Sequence, residues 1–133
     1  TTEIYTLSLH DALPISGVIL TVSKSGKGLR AMEKPEKIYL NNPNLYHALA
    51  PNGLPDTGAL RETFLLSMLQ VNHTVSVPAK GDFLIDDRVT IEVGGKSKDG
   101  AQIKNIQDAC LALDNIETGH GNRIPLWLFG FIY

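Results

Sequence analysis

The sequence predicts a single α/β domain, and three observations carry the prediction. The chain has 133 residues, 43% apolar and 20% charged, enough to bury one core and too short for two full domains. Leu60, Phe64, Leu65, Met68 and Leu69 recur at helical spacing. From Val71 the period changes to two, through Val71, His73, Val75 and Val77 and again across Gly81 to Val93.

The elements follow in chain order. Gly17 to Val22 is a short apolar run, and Ser23 to Gly28 is a solvated connection. Its glycines and lysines lack the P-loop spacing that wraps phosphates in backbone amides. Leu29 to Lys34 is expected to end a helix at Pro35, and Lys37 to Leu40 reads as a strand. Asn42 or Asn44 caps a helix through His47 to Leu49, and Pro51 to Asp56 is a loop by composition. Asp56 or Thr57 caps the helix that carries the apolar stripe. Val71 to Val77, Gly81 to Ile85 and Val89 to Val93 are predicted strands, and Ala101 to Ala109 a second amphipathic helix. Leu111 to Leu113 and Ile124 to Tyr133 are further strand candidates, the last run being too short for a membrane span of about 20 residues.

Residues 1 to 15 resemble the conceptual translation of a sequencing adapter and are set apart as foreign. The expected organisation is then 16–56 as a segment leading into the core and 57–133 as the core. The formal net charge is −2; without Glu3 and Asp11 twelve acids face twelve bases. No overall basic field draws the chain to nucleic acid, although Lys24, Lys27, Arg30, Lys34 and Lys37 gather before the core. Cys110 is the single cysteine. It excludes an intramolecular disulfide or a cysteine zinc cluster, which points to a reducing compartment, the cytoplasm. His47, His73 and His120 have no metal-ligand spacing, and the sequon Asn72-His73-Thr74 is read as chance.

Strand parity gives the candidate site. Phe83 and Ile85 on one strand and Val89, Ile91 and Val93 on the next should face the core together, which requires an odd loop. A three-residue loop at Asp86 to Arg88 opposes Asp82 and Glu92, with Cβ atoms about 5 Å apart. Two such carboxylates repel unless a cation bridges them or one is protonated, and Mg2+ takes oxygen ligands of this kind. Metal-assisted phosphodiester hydrolysis uses such acids with a lysine that orients the water. The same residues also suit a solvent-facing strand edge on which Lys96 neutralises Glu92.

Lys37 to Leu45, Leu60-Arg61-Glu62-Thr63-Phe64, Gly81-Asp82-Phe83-Leu84, Glu92-Val93 and Ile124 to Gly130, in this order, resemble the C-terminal domain of a family of bacterial and archaeal AAA-type ATP-binding proteins. The resemblance covers residues 17 to 133. It implies a restriction-endonuclease-like PD-(D/E)xK fold, a mixed sheet flanked by helices, and an N-terminal ATPase domain outside this chain that binds the ATP and serves as partner. It also implies that Glu62 is the first-helix glutamate, Asp82 the metal-binding aspartate and Glu92 the acid of the (D/E)xK element. Gly94 stands where that element has its lysine, no proline precedes Asp82, and Lys96, the nearest lysine, lies roughly 6 to 7 Å further along the strand. Two functions follow as expectations. One is a non-catalytic module for assembly or for recognition of a partner, DNA included, with self-association open. The other is a Mg2+-dependent DNA endonuclease using Glu62, Asp82, Glu92 and Lys96, with Asp82 and Glu92 as metal ligands.

Overall fold

The computed structural model describes residues 17–26 and 35–132. The expected helix end at Leu29 to Lys34 and most of the Lys24 to Lys37 basic group lie outside the described residues. So does the adapter-like segment.

Strand β1 (Ile19–Val22) pairs antiparallel with β2 (Lys37–Leu40). The short helix α1 (Pro43–Leu49) follows, with the Asn42 side chain accepting from the Asn44 N–H at 2.9 Å and Pro43 pre-setting the first helical residue. Helix α2 (Thr57–Leu69) starts on the Asp56 carboxylate, which accepts from the Ala59 N–H at 2.7 Å. The main sheet then forms from β3 (Val75–Ser76), β4 (Phe83–Ile85), β5 (Val89–Gly94), β6 (Ala109–Leu113) and β7 (Arg123–Pro125), in that spatial order. The β3 to β5 pairings are antiparallel and those from β5 to β7 parallel. A parallel bridge from Lys24 to Val77 joins the end of β1 to the edge of this sheet. The architecture is mixed α/β, as the periodicities predict.

The β4–β5 register pairs Phe83 with Ile91 and Ile85 with Val89, so the loop is Asp86 to Arg88, the odd length that parity required. Asp86 and Asp87 take φ of 51° and 53°, the left-handed pair that turns a hairpin with the strands' twist.

Both faces of the sheet are covered. On one, Leu65, Leu66 and Leu69 of α2 pack with Phe83, Ile85, Ile91, Val93 and Ala112, and Val22 and Tyr39 join the same cluster. On the other, Leu111 and Leu113 pack with Ile103 and Ile106 of the β5–β6 connection. Thr90 and Glu92, the even positions of β5, are 5% and 1% exposed, so the reading of a solvent-facing polar edge fails.

Three expected elements differ. Ala101 to Ala109 forms no helix: Ile103 bonds back to Gly100 and Ile106 to Ile103, each three residues apart, and Ala109 already belongs to β6. Two isoleucines three apart suit consecutive turns as well as a helix, and Gly100 at φ +71° starts the segment outside helical space. The closing run is a strand only to Pro125, whose ring ends the ladder. A 3-10 helix over Leu126–Phe131 then buries Leu126 and Phe129, three apart as that helix's period demands. Finally, the strand from Val71 shrinks to Val75–Ser76, because Asn72 and His73 donate to the Leu69 carbonyl and finish α2.

Candidate functional site

The acidic residues gather where α2, β2 and the β4–β5 pair meet. Lys37 and Tyr39 are two apart on β2 and therefore share a face. Tyr39 donates a short hydrogen bond to Glu62 Oε2 on α2. Lys37 Nζ lies 3.4 Å from the same oxygen, 3.5 Å from Asp82 Oδ1 and 5.3 Å from the centre of the Phe83 ring. Glu62 and Asp82 are thus brought together with a lysine between them.

The paired register of β4 and β5 ends at Phe83–Ile91, and the Asp82 N–H donates to the Ile91 carbonyl at 3.0 Å. The ladder stops there, and the Asp82 side chain replaces the missing main chain: Oδ2 accepts the Val93 N–H at 2.8 Å. Asp82 therefore finishes the sheet edge as well as carrying charge.

Glu92 points to the covered side of β5. Its Oε1 is 2.9 Å from Lys98 Nζ. That contact is close but poorly aligned for a hydrogen bond, so it acts chiefly as an ion pair, and Oε2 has no hydrogen-bond partner among the described residues. The contact with the Glu92 carboxylate raises the Lys98 pKa, against a smaller opposing effect of burial, and the charges of Asp82 and Asp99 add to the rise.

The residue that meets Glu92 is Lys98, not Lys96, which is exposed. Gly94 explains how the chain arranges this. A Cβ on Gly94 would lie 2.8 Å from both Cβ and Cγ of Lys98 and 3.0 Å from its Cδ. The aliphatic stem of Lys98 fills the space that a side chain two residues after Glu92 would take, and its ammonium returns to the acid. Arg123 fixes the returning loop by donating to the carbonyls of Lys96 at 3.3 Å and Lys98 at 3.1 Å. Sequence spacing overlooked Lys37, Tyr39 and Lys98. The available signals were the shared parity of Lys37 and Tyr39 and the missing side chain at Gly94.

Each acid that the sequence offered to Mg2+ already has a cation or an N–H on it. Asp82 spends Oδ2 on Val93 and Oδ1 on Lys37, and Glu92 spends Oε1 on Lys98. Among the described residues no three His, Cys, Asp or Glu side chains converge as a metal-binding group. A divalent ion bridging Asp82 and Glu92 would sit beside two ammonium groups, so this arrangement does not fit one.

Tyr39 provides a pH readout. Burial first, then the hydrogen bond to Glu62 and the charges of Glu62 and Asp82, hold its phenol well above the ordinary tyrosine range. A group whose folded pKa is raised contributes stability that is complete below its unfolded value and lost as pH rises through the folded one. Tyr39 and Lys98 both have this sign, so stability should fall above about pH 10. In a phenolate absorbance titration, Tyr39 should ionise above the ordinary tyrosine range, together with unfolding. Tyr39→Phe should delete that late step, whereas early ionisation of Tyr39 would mean that its bond to Glu62 does not persist in solution.

Comparison with protein-family models, curated proteins and solved structures finds no match for this chain. Among the described residues no helix is long and apolar enough to cross a membrane.

Proposed function

We propose that the chain is a nuclease-like module that works by recognition or assembly beside the ATPase domain of an AAA-type ATP-binding protein, and does not itself cut DNA. The motif order given above supports the family reading. The observation that carries the non-catalytic reading is the internal neutralisation of the acids, by Lys37 between Glu62 and Asp82 and by Lys98 on Glu92. A hydrolytic centre must expose its metal and its carboxylates to the phosphodiester. Glu92 is 1% exposed, and the lysines supply the positive charge that a metal would otherwise bring. Nucleotide binding belongs to the ATPase partner.

The deciding experiment is nicking of supercoiled plasmid with Mg2+ or Mn2+ by wild type, Asp82→Ala and Glu92→Ala. All three should leave the plasmid supercoiled. Cleavage by wild type that both variants lose would establish instead the second reading, a Mg2+-dependent endonuclease of the PD-(D/E)xK type. That reading draws its support from the way Lys37 and the β5 backbone link Glu62 and Asp82 to the strand bearing Glu92. In it, Lys98 rather than Lys96 would be the lysine beside the acid.

A further inference from the structure

The β5–β6 connection that fails to form a helix borders a half-open cavity of about 490 Å³ against the sheet, within the roughly 300 to 1,000 Å³ usual for small-molecule sites. Its floor is aliphatic, made by Ile103, Ile106 and Leu111, and its rim carries Asp99, Lys104 and Arg123. The walls are tightly set. Gly100, at φ +71°, lets the connection close on Leu111, whose Cδ1 would be 2.9 Å from a Cβ there.

Arg123 is half-buried, and one of its terminal nitrogens is spent on the carbonyls of Lys96 and Lys98. Neither Arg123 nor Lys104 has a carboxylate within ion-pair distance among the described residues, although Asp99 shares the rim. Asp99 is instead engaged with the Ala101 N–H at 3.0 Å. A half-buried guanidinium without an acid has given up hydration that only an anion returns in full, and its planar fork matches a carboxylate.

We infer that this cavity is a binding site for a short aliphatic monocarboxylate, its head held by Arg123 and Lys104 and its hydrocarbon tail resting on Ile103, Ile106 and Leu111. The rim selects the charge: two cations and one carboxylate leave a single positive charge to be matched. A phosphate monoester, with about −1.5 to −2 charges at neutral pH, would be repelled by Asp99 in addition. The floor selects the body, since it has no aromatic ring on which a base or an arene could stack. The site lies apart from the acids discussed above and does not depend on the nuclease-like reading.

Amide chemical-shift titration of the full chain tests the inference, with hexanoate, hexanol and hexyl phosphate as probes. Hexanoate should give saturable shifts at Ile103, Leu111 and Arg123. Hexanol should bind about tenfold more weakly or worse, the equivalent of one charge-assisted hydrogen bond, and hexyl phosphate should also bind more weakly than hexanoate. Lys104→Gln alters an exposed side chain, so it should fold normally and weaken hexanoate severalfold while leaving hexanol unchanged. Equal affinity for hexanol, tighter binding of hexyl phosphate, unchanged hexanoate affinity in Lys104→Gln, or no saturable shift at the cavity would each overturn the assignment.

Discussion

Lys98→Met should destabilise the fold by about 3 kcal/mol or more, read as a lower midpoint in urea, because it leaves a carboxylate buried without its cation. The size follows from asymmetry. Glu92 is 1% exposed, whereas the Lys98 side chain is 34% exposed. Removing the lysine therefore strands the acid in the covered face of the sheet among Leu111, Leu113 and Ile103, with no other cation paired to it among the described residues. Methionine keeps most of the stem that packs over Gly94, so the loss isolates the charge rather than the packing. The double variant Glu92→Gln with Lys98→Met should recover part of the stability, since an amide needs no counter-ion, although its stranded polar atoms still cost about 1–3 kcal/mol. If Lys98→Met costs under about 1 kcal/mol, the pair behaves as a screened surface contact, and Lys98 does not stand in for a metal at Glu92.

What the sequence made legible was whatever depends on period and parity. The two-residue alternation of Phe83, Ile85, Val89, Ile91 and Val93 required an odd loop, and the pairs Phe83–Ile91 and Ile85–Val89 have it. The helix caps were readable to a choice of two, Asp56 or Thr57 and Asn42 or Asn44, and the structure uses Asp56 for α2 and Asn42 for α1. Parity could not say how deeply each face is buried. Glu92 reads as half of a polar edge, yet it is 1% exposed on a face where Ile103 and Ile106 of the irregular connection 95–108 pack on Leu111 and Leu113 of β6. The same connection brings Lys98 back across Gly94, a contact six residues from Glu92 that is set by the path of a loop and not by any strand or helix repeat. The stripe on α2 shows the limit from another side. Leu65 and Leu69 are buried as expected, but the buried face turns to include Leu66 and Thr63 while Leu60, Phe64 and Met68 are only half-buried, because Val22 and Tyr39 of the first hairpin also pack in that core. That hairpin's place against the sheet had no local signature, and with it Lys37 reached Glu62 and Asp82.

Phe83→Ala should cost about 3–5 kcal/mol, the range for truncating a large core aromatic, and should disturb the site as well as the core. Phe83 has no exposed surface and belongs, from β4, to the core cluster that includes Leu65, Leu66 and Leu69 of α2. Its ring lies 5.8 Å from that of Tyr39, tilted by 51°, and 5.3 Å beneath the Lys37 ammonium. The ring therefore supports from below both β2 residues that hold Glu62. An alanine would leave a cavity and free Tyr39 and Lys37 to move, so water should reach the phenol and bring its ionisation back toward the ordinary tyrosine range. Phe83→Leu separates these effects. It fills most of the volume, so its stability cost should stay below about 1.5 kcal/mol, yet it removes the π face that attracts Lys37, a contribution of about 0.5–1 kcal/mol at a half-exposed position. The expected order is thus a large loss of stability with a normalised Tyr39 titration in the alanine variant, and a small loss with Tyr39 still ionising late in the leucine variant. Late ionisation of Tyr39 in folded Phe83→Ala would show that Glu62 holds the phenol without support from the core, and that the carboxylate cluster keeps its geometry independently of the sheet beneath it.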